Sequence, residues 1–317
     1  MATIIEQRPA ASTGGTSETG REHPFVLGIM GDSGSGKNTM VRGVRALLGE
    51  DTVTNLELDD YIRYTRAERA ERRITALNPA ANNLTLMAEH LQMLREGKPI
   101  RNRFYDHADG SFGAIRLIEP HEVVMVRGLL GFANDHLQSL YDLTVFLDPD
   151  SDLLYRWKLR RDTRSRGYTE ADALKRIVEY LLDSKQYVRP QAERADVVVH
   201  YDLPAYDAPD TEVRVSIRLR RGAAEAVRDG GSLARFHGSV ELEEAPDGLV
   251  LHISPTLSGS DVETWARDRF PDSYAPERVG AYVTEEGASA ACPQLIFTQV
   301  LIARLAQRLR RMETAPI

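Results

Sequence analysis

Of 317 residues, 42% are hydrophobic, enough to build a sizeable core in one large domain or in a domain with an appendage. The 40 basic and 47 acidic side chains leave a formal charge of -7, which argues against a nucleic-acid binder and requires any phosphate-binding charge to be concentrated locally. Cys292 is the only cysteine, so an internal disulfide and a cysteine-built metal cluster are excluded, and a reducing cytoplasm is the expected setting.

The opening stretch is polar, rich in Gly, Ser and Thr, and carries no apolar signal core, so residues 1–23 read as a disordered tail. "FVLGIM", "GDSGSGK" and "NTMVRGVRALLGE" follow as strand, breaker loop and helix, with Met40, Val44 and Leu47 at helical spacing. Further short apolar runs, "TVTNLEL", "EVVMVRG", "LTVFLD" and "DVVVHY", are separated by helical stretches. That alternation predicts an α/β fold, a parallel sheet with helices on both faces.

Leu84, Met87, Leu91 and Leu94 step by three and four before Gly97 and Pro99 stop the helix. Residues 151–166, "SDLLYRWKLRRDTRSR", begin at a Ser cap and turn basic, and "TEADALKRIVEYLLDSKQYV" continues from a cap at Thr169. Beyond a boundary placed near Tyr206, "EVRVSIRLRR", "SLARFHGSVELEEA" and "LVLHIS" alternate as strands. Helices are expected in "SDVETWARDRF" and "CPQLIFTQVLIARLAQRLRRM". The expected organisation is a tail over 1–23, an α/β domain over 24–205 and an α+β extension over 206–317, with no span for a bilayer.

Gly31, Gly36 and Lys37 fit G-x-x-x-x-G-K-[ST], in which loop amides curl around phosphate oxygens, the Lys reaches the terminal phosphates and the hydroxyl ligates magnesium. The strand before the loop and the helix after it supply the context this motif needs. Asn38 stands in the hydroxyl's place, with an amide oxygen and no proton to give up. Thr39 is turned about 100 degrees further around the helix, so it is no simple substitute. The alternative is a glycine-rich turn with a surface lysine.

Five separated segments, "LELDDYIRYTRAERAERRITALNPAANNLTLM", "FYDHADGSFG", "VVMVRGLLGF", "WKLRRDTRSRGYT" and "YVRPQAERADVVV", resemble the phosphoribulokinase family in order and spacing. With "VGAYVTEEGASAACPQLIFTQVLIARL", similar to the closing segment of long bacterial members, the likeness covers residues 24–312. The resemblance implies a P-loop, nucleoside-monophosphate-kinase-like domain over 24–205 that moves the terminal phosphoryl of ATP to ribulose 5-phosphate with Mg2+. It places Gly31, Ser33, Gly34, Ser35, Gly36, Lys37, Asn38 and Thr39 at the nucleotide. Asp59, at a strand end, corresponds to the catalytic base, with Asp60 as the neighbouring alternative. Arg66, Tyr105 and His107 fall on the sugar-phosphate side, and Lys158, Arg161, Asp162 and Arg166 on a basic helix and lid.

Departures from the family pattern cluster. Ile62 replaces a His three residues after Asp59, and Arg127 replaces a Glu that serves magnesium before the glycine of "VRGL". Arg127 can offer positive charge to phosphates, but it cannot ligate a metal. Glu179 and Tyr180 stand where the family is basic. Two readings stay open: an ATP-dependent sugar-phosphate kinase with a rewired metal site, or a catalytically impaired nucleotide-binding paralogue regulating an active partner. The expected partners are ATP, a sugar phosphate, and a homo-oligomer or mixed oligomer, with neither nucleic acid nor membrane. A uridine- or pantothenate-type kinase is the third reading, disfavoured by the substrate-side and C-terminal likeness.

Overall fold

Seven consecutive buried residues form β1 (Phe25–Gly31) in the computed structural model, which describes residues 23–164, 166–205, 208–228, 233–284 and 287–312. The expected tail, but for its last residue, and the boundary at Tyr206 lie outside the described residues. After β1 come α1 (Lys37–Leu48), β2 (Val53–Glu57), α2 (Arg66–Arg72), α3 (Leu84–Arg95), β3 (Ile100–Tyr105), β4 (Phe112–Ile118) and β5 (Val123–Gly128). Then follow α4 (Asp135–Gln138), β6 (Leu143–Pro149), α5 (Ser151–Arg164), α6 (Glu170–Asp183), β7 (Val197–Asp202), β8 (Arg214–Arg220) and α7 (Arg221–Arg228). The chain closes with β9 (Val240–Ala245), β10 (Gly248–Ile253), α8 (Gly259–Arg269), β11 (Ala281–Val283), β12 (Ser289–Ala291) and α9 (Pro293–Met312).

The main sheet runs β2-β5-β1-β6-β7-β8-β10-β9 among the described residues. Its first five strands pair in parallel, as the apolar runs predict, while β8, β10 and β9 add antiparallel to the same sheet. Successive side chains of a strand point to opposite faces. Phe25, Leu27 and Ile29 therefore enter a core shared with α1, α7, α8 and α9, and Val26 and Met30 one shared with α3. Phe236, Trp265 and Phe297 meet edge-on or tilted, with ring centroids 5.2 to 5.3 Å apart, in the first of these cores.

Helix α9 also reaches the phosphate loop's helix. Gln299, fully buried, donates from Nε2 to the Thr39 carbonyl at 2.9 Å and accepts from the Gly280 amide at 2.7 Å. Its side chain fills the notch left by Gly43 of α1, where a Cβ would overlap it.

The expected strand "SLARFHGSVELEEA" shrinks to β9, because Ala234–Phe236 is a 3-10 turn that buries Phe236. The helix expected over 151–166 ends at Arg164, and the one from Thr169 gives way after Asp183 to a π-helical turn at Ser184–Val188. The β3–β4 hairpin and α7 were not predicted. Among the described residues no helix is long and apolar enough to cross a membrane.

Candidate active site

Sheet geometry gathers the loop after β1, the turn after β2 and the end of β5 at one edge, because parallel strands deliver their C-terminal ends to the same side. Gly34 (φ 95°) and Gly36 (φ 90°) adopt left-handed backbone that bends the loop into the start of α1. A Cβ on Gly34 would also press on Lys158 of α5, 3.3 Å from its Cβ. Lys37 Nζ donates to the carbonyls of Gly31 (2.8 Å) and Asp32 (2.7 Å). Burial lowers its pKa to about 8, against the charges of Asp32 and Asp59.

Ser33 Oγ accepts from Arg161 at 3.1 Å. Ser35 Oγ is buried without a hydrogen-bond partner, and Gly31 and Ser35 sit behind the cavity that Ser33, Gly34, Gly36, Lys37, Asn38 and Thr39 line.

A second, cationic cavity adjoins the first. Leu58–Tyr61 forms a 3-10 turn directly after β2, which carries Asp59 to the boundary: Asp59, His107, Arg161 and Arg166 line both cavities. His107 Nε2 stands 3.2 Å from Asp59 Oδ2. Burial opposes the ionised Asp59, but the His107 hydrogen bond and the charges of His107, Lys37 and Arg127 hold its carboxyl below the usual range. Asp60 turns the other way, accepting the Tyr105 amide at 2.8 Å. Burial, with Glu57 and Asp59 nearby, pushes it up to about 6.

Arg66 lines the cationic cavity while donating to the His107 carbonyl at 2.7 Å, so it also braces the 106–111 turn. Asp162 is buried and accepts from Arg161 Nε at 2.9 Å, with Arg166 Nη1 3.5 Å away. One acid thus aims two guanidinium groups. Burial brings Lys158 to about 8, and its ammonium lies 4.7 Å from the Tyr180 ring centroid. Ile62 presents an apolar wall in the same cavity.

The structure therefore brings Lys37, Asp59, Arg66, Tyr105, His107, Lys158, Arg161, Asp162 and Arg166 together, along with Arg69, Arg176 and Glu57, which the sequence reading missed. Arg69 donates to the Tyr105 hydroxyl at 2.7 Å. It lies three residues after Arg66 on one helix face, which was the available signal. Arg176 lies 4.6 Å from the Tyr168 ring centroid, four residues before Tyr180 on α6. Tyr180 lines the cavity, whereas Glu179 is exposed outside its lining.

Arg127 occupies the place where the resemblance expects a metal-serving carboxylate. It faces Glu57 in the β2–β5 register, donating from Nη2 to Glu57 Oε1 and from Nη1 to Asn38 Oδ1. Magnesium fits this arrangement badly, because an oxygen of each candidate ligand is taken by a guanidinium that also repels a cation. Among the described residues no group of three His, Cys, Asp or Glu is placed to hold a metal ion.

A family model described as "Phosphoribulokinase / Uridine kinase family" matches residues 26–209. The chain is 36% identical over 203 residues to a phosphoribulokinase of Synechocystis sp., covering 64% of this chain and 60% of that protein's length. It is 32% identical over 206 residues to a uridine kinase of Deinococcus deserti, covering 63% of this chain and 100% of that protein. Among solved structures, phosphoribulokinase from Rhodobacter spheroides superposes with a TM-score of 0.59, covering 77% of this chain and 94% of that one; at 20% identity the agreement is one of fold. With the family match spanning more than half of its length, the chain belongs to the phosphoribulokinase / uridine kinase family.

Proposed function

We propose that the protein transfers the terminal phosphoryl group of ATP to a hydroxyl of a sugar phosphate, ribulose 5-phosphate or a relative of it. The observation that carries this reading is the position of Asp59 on the boundary between the loop cavity and the cationic cavity. In this reading the amides of the Ser33–Thr39 loop and Lys37 hold the nucleotide phosphates. Lys158, Arg161, Arg166 and Arg176 hold the sugar's phosphate, with Arg66 and Tyr105 shaping that side. The acceptor oxygen bonds to the terminal phosphorus as the bond to the leaving diphosphate breaks, and Asp59 takes the hydroxyl proton. The kinase unit is residues 24–205 and the extension 206–317, a division supported by the end of the family match at residue 209. A reducing compartment is the proposed setting, given the single cysteine.

The Arg127–Asn38 contact favours a second reading, a paralogue that binds nucleotide but turns over little, since each lost charge-stabilising contact costs about 100-fold or more in rate. Purified protein is incubated with ATP and ribulose 5-phosphate, with and without magnesium, beside Lys37→Ala and Asp59→Asn. ADP release that needs the sugar phosphate and disappears in Asp59→Asn supports the kinase. Bound ATP without ADP release selects the paralogue. Absence of any ATP binding overturns both.

A further inference from the structure

The two departures nearest the nucleotide loop touch one another, and the contact has a chemical sense. Asn38 lies in the first turn of α1 and Arg127 near the C-terminal end of β5, 89 residues apart, yet Arg127 bridges the Asn38 amide oxygen and the Glu57 carboxylate. Its side chain is 23% exposed, at the wall of the cavity that Gly36, Lys37 and Asn38 also line. The two anchors come from different elements, so the guanidinium is fixed before any ligand arrives.

Of five N–H donors on a guanidinium, two serve Asn38 and Glu57. The remaining donors, on a side chain that lines the loop cavity, suit oxyanions, which a planar fork holds better than a point charge does. Glu57 neutralises Arg127 while the cavity holds no anion. Arg127 in turn helps lower the pKa of Lys37, behind burial as the main cause. An anion placed between the two cations relieves their repulsion and draws on both.

We infer that Arg127 is a resident counter-cation, and that this loop takes a polyphosphate nucleotide without a divalent ion. The inference rests on the nucleotide reading of the loop and adds the form in which the ligand binds: the free anion rather than its magnesium complex. Asn38 is the matching half, because its amide oxygen receives the guanidinium at the position where a Ser or Thr hydroxyl serves a metal.

Calorimetric titration of ATP into the whole chain, once in EDTA and once in excess magnesium, tests this. The expected dissociation constants agree within about threefold, and Arg127→Ala weakens binding in EDTA about tenfold or more. In Asn38→Thr/Arg127→Glu, binding becomes magnesium-dependent, at least about tenfold weaker in EDTA. The native comparison needs no variant to fold. Native protein that binds ATP about tenfold tighter with magnesium overturns the inference and leaves the nucleotide reading standing; native protein that binds ATP in neither buffer overturns both.

Discussion

His107 reaches across from the β3–β4 hairpin to stand 3.2 Å from Asp59, and this pair keeps a carboxylate ionised at the seam between two cavities. The folded pKa of Asp59 lies below its ordinary value, so its contribution to stability is present above the usual carboxylate range and is lost as pH falls through the lowered value. In His107→Ala that support disappears. The acid limb of the pH–rate profile should move to higher pH. An unmoved limb would show that something other than His107 holds the carboxylate.

Asp60 should respond in the opposite sense. Its pKa is raised to about 6, so its contribution is fully present below the ordinary carboxylate range and is lost as pH rises through about 6. Asp60→Asn keeps an acceptor for the Tyr105 amide and removes the charge. In urea unfolding from about pH 4 to about pH 8, the variant's stability relative to native protein should improve with rising pH. A constant difference across that window would contradict the assignment.

Arg176 lines the same cavity as Ile62, and its guanidinium rests on the Tyr168 and Tyr180 rings. If it holds the sugar's phosphate, Arg176→Ala should raise KM for the sugar phosphate about tenfold with a smaller change in kcat, and Arg176→Lys should recover part of the loss. Steady-state kinetics varying each substrate in turn separate this from a change in ATP binding.

Gly43→Ala should destabilise the fold by about 1 to 3 kcal/mol, because the new methyl displaces a buried, doubly hydrogen-bonded Gln299. Thermal unfolding would show a midpoint several degrees lower. Combining it with Gln299→Ala should recover part of the loss, since the overlap is then gone. An additive double variant would argue against the overlap as the cause.

Strands β1, β5 and β6 were legible as near-continuous apolar runs, as strands covered on both faces must be, whereas β2, at the sheet edge, and β7 carry broken or alternating apolar positions. Strand β4 gave no such signal: it lies off the core with its middle exposed, so its residues carry no buried periodicity. Helix α7 hides in Ala-rich sequence directly after a strand. That β8 and β10 join the main sheet depends on β7 offering a free edge, a property of the assembled sheet rather than of either segment.

At the site, the phosphate loop was readable from its motif spacing, and the basic helix only through the family resemblance. Arg69 was marked only by its three-residue spacing from Arg66, and Arg176 by nothing, because an arginine on a charged helix looks the same whether it faces solvent or a pocket. The Arg127–Glu57 pair was out of reach for a different reason. It follows from β2 lying beside β5 in register, a neighbour relation that sequence order conceals.

The Gln299–Thr39 bond also sets a schedule for biosynthesis. These two residues are 260 positions apart, so the helix that begins at the phosphate loop acquires its last buried support only after α9 has left the ribosome. Nascent chains shorter than that lack the part of α1's cover that α9 supplies, with β1 and β5 still packed against it. The helix at the phosphate loop thus takes part of its buried support from a segment synthesised 260 residues later.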